Sequence, residues 1–226
     1  MEDGTLPPAP LKAPRAGAIA GIVFSLLLIV SVVLTRISIP ANPQDAGTWL
    51  SVGWATVNLA LSLLPFAGIA FLWFIGVLRD RLGAREDRFF ATVFLGSGLL
   101  FVGLLFVSSA VAGAVLILYK AAPVKLMESG IYAFGRTVAY QIINVFAMRM
   151  AAVFMVSTCT VSVRTGIFPR WMAYLGIVLA LFLMLSIGFF SWAPFVFPLW
   201  VLLISVHILT ANFRKQKSGP VTESRA

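Results

Sequence analysis

The sequence predicts an all-α membrane protein, a polytopic bundle of six transmembrane helices with both termini in the cytoplasm. Apolar residues make up 60% of the 226 residues, only 11% are charged, and the mean hydropathy is +0.99. A soluble domain is about 45–50% apolar and about a quarter charged. The deficit of charge is too large for a surface exposed to water, and few residues are left for a soluble catalytic domain.

Six apolar runs are long enough to cross the hydrocarbon core of a bilayer, which requires roughly 20 helical residues. The runs are continuous and do not alternate, so they predict helices rather than the strands of a barrel. In chain order the predicted spans are 16–35, 50–78, 89–119, 133–160, 171–190 and 195–212. The segments 1–15 and 213–226 are predicted to be disordered cytoplasmic tails.

The distribution of Lys and Arg predicts the orientation of these spans. Twelve of the 17 basic residues lie in the two tails and in the loops after the second and fourth spans, whereas three lie in the opposite loops. Because cytoplasmic loops carry the excess of Lys and Arg, we expect both termini in the cytoplasm. The net charge of +9 is then explained by topology and by attraction to anionic lipid headgroups, without a nucleic-acid partner.

Small residues within the spans favour close helix packing. Gly17 and Gly21 form a G-x-x-x-G motif in the first span, and Ser109 and Gly113 form a similar pair in the third. Small residues let helix backbones approach closely in lipid. Since such motifs are common in polytopic bundles, we expect packing within the chain rather than a dedicated dimer contact.

Arg149 is the strongest functional candidate, because it lies near the middle of the fourth span. All eight acidic residues lie outside the six spans, so the chain offers no carboxylate at that depth. Backbone carbonyls, water, an anion, a lipid headgroup or a partner subunit are the alternatives for its counterpart. Bonding to carbonyls at a kinked helix, or snorkelling to the surface, is the purely structural alternative to ligand contact.

Other polar side chains of the fourth span extend this candidate site. Arg136, Tyr140 and Asn144 recur every four residues and therefore share one face. At 100° per residue Arg149 points away from Asn144, so the span has two polar faces and is expected to be central or to line a wet cavity. The hypothetical site for an anionic or polar ligand consists of Arg149, Asn144, Tyr140, Gln141 and, from the second span, Asn58.

Residues for catalysis or for holding a metal are scarce. Cys159 and His207 are the only residues of their types. One thiol cannot form an intrachain disulfide, and one histidine cannot supply both axial ligands of a bis-histidine haem. The sequence contains no Ser/His/Asp set, zinc-protease motif or phosphate loop. We therefore expect no enzyme activity, no metal and no cofactor.

The loop after the second span contains Gly76, Asp80, Arg81, Gly83 and Arg85. This segment resembles the G-x-x-x-D-R-x-G-R-R signature that major facilitator transporters carry between their second and third helices, although Ala84 replaces a basic residue. The resemblance implies a clamp of helix ends that gates alternating access. It covers about ten residues, and those transporters have twelve helices. The alternative is a tight loop held by salt bridges, whose arginines set the topology.

A broader resemblance covers about a quarter of the chain. The stretches 70–100, with Asp80-Arg81-Leu82-Gly83, and 149–176, with Arg164-Thr165-Gly166, are similar to an uncharacterised family of bacterial multi-pass membrane proteins. This resemblance implies the fold and a bacterial origin, and it implies no activity. We expect a location in the bacterial inner membrane.

Two functions are expected from these observations. The first is a noncatalytic accessory or structural protein that packs against lipids or partner subunits, with a homo-oligomer and a partner membrane subunit both open. The alternative is a small carrier for an anionic or polar solute, with the fourth span lining the path. The carrier hypothesis requires a water-filled cavity that reaches Arg149.

Overall fold

A computed structural model describes residues 13–40, 47, 49–82, 88–166, 168–185 and 192–217. Within these helices, the side chains of 13–14, 80–82, 88–90 and 212–217 are not described. The helices are α1 (Ala13–Ser38), α2 (Leu50–Leu82), α3 (Arg88–Ala121), α4 (Pro123–Glu128), α5 (Ile131–Gln141), α6 (Met148–Thr165), α7 (Arg170–Leu185) and α8 (Ala193–Lys217), and a π-helical segment (Ile142–Ala147) joins α5 to α6. The described part of the chain contains no strand, so the fold is all-helical, as predicted.

Among the described residues, five helical stretches are long and apolar enough to cross a membrane, which indicates a multi-pass membrane protein. They are Arg15–Ser38, Leu50–Arg79, Ala91–Ala121, Ile131–Thr165 and Ala193–Ala211. The predicted fifth span corresponds to α7, which is apolar but has only 16 residues. At 1.5 Å per residue it is about 24 Å long, less than the roughly 30 Å of a hydrocarbon core. The rest of that predicted span, residues 186–190, lies outside the described residues.

The helices extend beyond several predicted boundaries. The predicted fourth span, 133–160, is a longer stretch built from α5, the π-helical segment and α6. The last helix continues to Lys217, five residues into the segment predicted to be a tail. Hydropathy marks only the part of a helix that is immersed in hydrocarbon, and polar residues continue the same helix into the headgroup region. Most of both predicted tails, residues 1–12 and 218–226, lies outside the described residues.

Five phenylalanines meet at the centre of the bundle, one each from α1, α2, α3, α6 and α8. We call them the central Phe cluster: Phe24, Phe71, Phe101, Phe154 and Phe197, all 0% exposed. Their ring centroids lie 4.5 to 6.2 Å apart in tilted and edge-to-face pairs. This geometry is the one that aromatic quadrupoles favour. The cluster packs five helices around one apolar centre.

The G-x-x-x-G motif of α1 packs within the chain, as predicted. A β-carbon on Gly17 would collide with the side chain of Val77, and one on Gly21 would collide with Ser205 and Phe74. The two glycines therefore let α1 approach α2 and α8 closely. Gly113 behaves differently, because a β-carbon there would meet no described atom within 4 Å.

Serine hydroxyls link neighbouring helices. Ser31 donates to the carbonyl of Ala60 at 2.8 Å and so joins α1 to α2. Ser108 donates to the carbonyl of Ala139 at 2.8 Å and joins α3 to α5. Such interhelical bonds stabilise membrane bundles modestly, by about 0.6 kcal/mol on average. The second bond, with the packing of α3 along α5, the π-helical segment and α6, positions the polar span.

Candidate functional site

The polar span is interrupted by its π-helical segment, Ile142–Ala147. A π turn closes its backbone hydrogen bond one residue later than an α turn, and such turns are frequent at functional sites. The wider turn also rotates less per residue than the 100° assumed from the sequence. The predicted angle between Asn144, inside the segment, and Arg149, in α6, is therefore not valid. Hydropathy and periodicity gave no signal for this segment.

Three of the predicted ligand residues lie around the junction between α5 and the π-helical segment. Tyr140 and Gln141 are exposed, and Asn144 is half-buried. The Asn144 Nδ2 donates to the backbone carbonyl of Tyr140 at 3.0 Å. The amide is thus engaged by its own helix, while the Tyr140 ring, 48% exposed, lies on the outer surface of the chain.

Arg149 is exposed on the outside of the bundle. Among the described residues, it forms no hydrogen bond or ion pair. One turn away on the same side lie Phe146, which is 53% exposed, and the half-buried Val153. We call the stripe around it the Arg149 face, composed of Phe146, Arg149, Met150, Val153 and Val156. The opposite side of α6 is buried against α3 and α7.

The position of Arg149 along the span is measured against two other arginines, one before it and one after it in the chain. Arg136 lies in α5, and Arg164 lies in the last turn of α6. These residues are 28 positions apart, or about 40 Å along the helix at roughly 1.5 Å per residue, close to the thickness of a bilayer with its headgroups. Arg149 therefore lies about 20 Å along the helix from each of these arginines, near the middle of the span.

Arg136 belongs to a different environment, a polar cluster at the end of the bundle that contains α4. Its guanidinium donates to the carbonyl of Pro40 at 2.9 Å and to the hydroxyl of Tyr132 at 3.4 Å. The same hydroxyl accepts a 2.8 Å bond from Trp49 Nε1. The two arginines of the span are thus separated, with Arg136 bonded to other parts of the chain.

Asn58, proposed to join the site from α2, is exposed. Its carbonyl accepts a 2.8 Å bond from the Ser62 hydroxyl. Within the described part of the chain, no hydrogen bond links its side chain to the other four candidates. The helix α3 packs against both α2 and the π-helical segment. The grouping of the five residues into one site stays a prediction.

The predicted cytoplasmic clamp is described only in part. Gly76 lies within α2, and a β-carbon there would meet no described atom within 4 Å. Asp80 and Arg81 lie near the end of the same helix, without described side chains. Gly83 and Arg85 lie outside the described residues. The clamp therefore stays a prediction.

Two buried polar atoms on α8 were not singled out from the sequence. Trp200 Nε1 and Ser205 Oγ are buried, and neither has a hydrogen-bond partner among the residues that the structure describes. Trp200 Nε1 and the buried Cys159 thiol both face Gly176, where a β-carbon would collide with them. The described residues contain no group of three His, Cys, Asp or Glu side chains placed to hold a metal.

Comparison of the chain with protein-family models, with curated proteins and with solved structures finds no match. The candidate site is therefore defined by its own geometry. A guanidinium on an apolar outer surface can bind a carboxylate or a phosphate through paired hydrogen bonds. It has no nucleophile or general base beside it on the Arg149 face.

Proposed function

We propose that this chain is a six-span protein of the bacterial inner membrane, with both termini cytoplasmic, that acts as a noncatalytic accessory subunit. In this proposal it packs against lipids and against another membrane subunit. Its cytoplasmic arginines and lysines contact anionic headgroups. The seventeen basic residues against eight acidic ones, and their uneven distribution among the loops, support this orientation.

One observation carries the proposal: the exposed position of Arg149 halfway along a membrane-spanning helix. An unpaired charge at that depth costs several kcal/mol or more. Because the described residues offer it no bonding partner, we infer that its stabilisation comes from outside this bundle. A subunit that packs on the Arg149 face would supply the missing hydrogen bonds and cover the apolar side chains around it.

The packing of the bundle centre also favours this role over the carrier. The central Phe cluster fills the space between five helices with aromatic rings. A carrier path past Arg149 requires polar groups facing an internal cavity, whereas this arginine faces outward.

The proposal is tested by the size of the native complex. Membranes from cells that express the wild-type chain or Arg149→Leu are solubilised in a mild detergent. Native electrophoresis then compares the sizes of the complexes that contain the two chains. We expect the wild type in a complex larger than the chain alone and the variant at the size of the single chain. A control variant, Arg164→Gln, changes a cation at the helix end and should keep the complex. A wild type that migrates as the single chain would refute the accessory role.

The carrier is the second candidate, and the π-helical segment is the observation that favours it. Tyr140, Gln141 and Asn144 lie at or within this segment, and π turns are frequent at functional sites. Uptake of labelled organic anions into proteoliposomes tests it. Uptake that is lost in both Arg149→Leu and Asn144→Ala would support the carrier, and background uptake by the wild type would exclude it for those anions.

A further inference from the structure

The chemistry of the Arg149 face defines the partner that it would bind. Resting on the proposed accessory function, we propose that this face docks a transmembrane helix of another subunit, which carries one Asp or Glu near the bilayer centre. The carboxylate would pair with the Arg149 guanidinium, and apolar side chains of the same helix would pack on Phe146 and Val153.

Charge complementarity selects a carboxylate as the partner group. Arg149 presents a planar set of donors that matches the two oxygens of a carboxylate. The neighbouring side chains on its face are apolar, so the pair would be shielded from water and strengthened. The five N–H donors of the guanidinium otherwise remain unsatisfied in lipid.

Depth argues for a protein carboxylate over a lipid phosphate. Arg149 lies about 20 Å along the helix from both Arg136 and Arg164 at 1.5 Å per residue. The centre of a hydrocarbon core about 30 Å thick is about 15 Å from either headgroup layer. An arginine side chain spans only a fraction of that distance, so a phosphate contact requires local thinning of the bilayer. A carboxylate on a neighbouring helix reaches the same depth without deforming the membrane.

A second copy of this chain does not supply the required group. None of the eight acidic residues lies within the predicted spans, and Glu128 lies in the short helix α4, beyond the end of α3. A symmetric dimer across the Arg149 face would bring two guanidinium groups together, which is unfavourable in a medium of low dielectric. The carboxylate therefore belongs to a different sequence.

The test uses the full chain in phosphatidylcholine liposomes and three synthetic transmembrane peptides of Leu and Ala. The peptides are identical except for Asp, Asn or Leu at the centre, and binding is measured by energy transfer from a dye on the chain terminus. We expect the Asp peptide to bind the wild type at least about tenfold more tightly than the other two. The preference should persist in Arg149→Lys and vanish in Arg149→Leu. The Arg149→Glu variant should instead prefer a fourth peptide of the same design with Lys at its centre.

Equal binding of the three peptides by the wild type would overturn this inference, as would an Asp preference that persists in Arg149→Leu. So would Arg149-dependent retention of phosphatidylglycerol without a peptide preference, since a lipid would then be the counterpart. The proposed function is tested separately, by the size of the native complex in electrophoresis. If the complex is lost in Arg149→Leu and the three peptides bind equally, the accessory role is supported and a carboxylate on the partner helix is excluded.

Discussion

The ring of Phe71 on α2 lies 5.2 Å from the ring of Phe154 on α6, and both side chains are fully buried. Phe71 also contacts the rings of Phe24, Phe101 and Phe197. It therefore connects the first half of the chain to the second at the centre of the bundle. In lipid, where burial itself contributes little between helices, such close packing is a main source of stability.

Replacement of this ring should strongly destabilise the bundle. Phe71→Ala is expected to lower the free energy of unfolding by about 3–5 kcal/mol, because a cavity is left among rings that cannot collapse into it. The control is Phe66→Ala on the same helix, at a ring that is 63% exposed, and it should cost much less. Unfolding in detergent with increasing sodium dodecyl sulfate gives both values. Equal losses would contradict a packed aromatic centre.

The glycines of α1 and α3 should respond in opposite ways to the same added methyl group. Gly21→Ala forces α1 away from Ser205 and Phe74, so we expect a melting temperature several degrees below that of the wild type. Gly103→Ala enters open space in α3 and should leave the melting temperature unchanged or raise it, since alanine favours helix. Thermal unfolding of the purified variants tests this pair. A similar fall in melting temperature for both variants would contradict close helix packing at Gly21.

The hydroxyl of Tyr132 should stabilise the polar cluster that it forms with Trp49 and Arg136. Tyr132→Phe removes the acceptor for Trp49 Nε1 and for Arg136, and the expected loss is about 1–2 kcal/mol. Tyr140→Phe removes an exposed hydroxyl and should change stability by less than about 0.5 kcal/mol. Denaturant unfolding measures the difference. Equal free energies of unfolding for the two variants would show that the hydrogen bonds of the Tyr132 hydroxyl contribute nothing to stability.

The proposed orientation places α4 outside the cell and the end of α6 in the cytoplasm. In a Cys159→Ala background, we expect Lys125→Cys to react with a membrane-impermeant maleimide added to spheroplasts, and Arg164→Cys to react only after lysis. Both positions are exposed, so access to the reagent depends on the side of the membrane. The reverse labelling pattern would contradict the proposed orientation and indicate the opposite one.

Sequence reasoning located the apolar helices and placed Arg149 near the middle of the fourth apolar run, because the length of an apolar run and the position of a charge along it are read directly. It could not select Phe24, Phe71, Phe101, Phe154 and Phe197 from the chain's 19 phenylalanines, since apolar residues on all sides of a helix give no inward direction. It also expected the fourth span to be central in the bundle or to line a wet cavity. In the structure α3 and α7 cover one side of α6, and Arg149 lies exposed on the other side.

The central claim is that the counterpart of Arg149 lies outside this chain. The most direct test is the melting temperature of the isolated chain in detergent, compared between wild type and Arg149→Leu. Since no bond within the described residues is lost and an exposed charge is replaced by an apolar group, we predict an equal or higher melting temperature for the variant. Breaking a buried ion pair costs about 3–5 kcal/mol, or about 10 °C for a chain of this size. A fall of that size would place the counterpart inside the chain and contradict the claim.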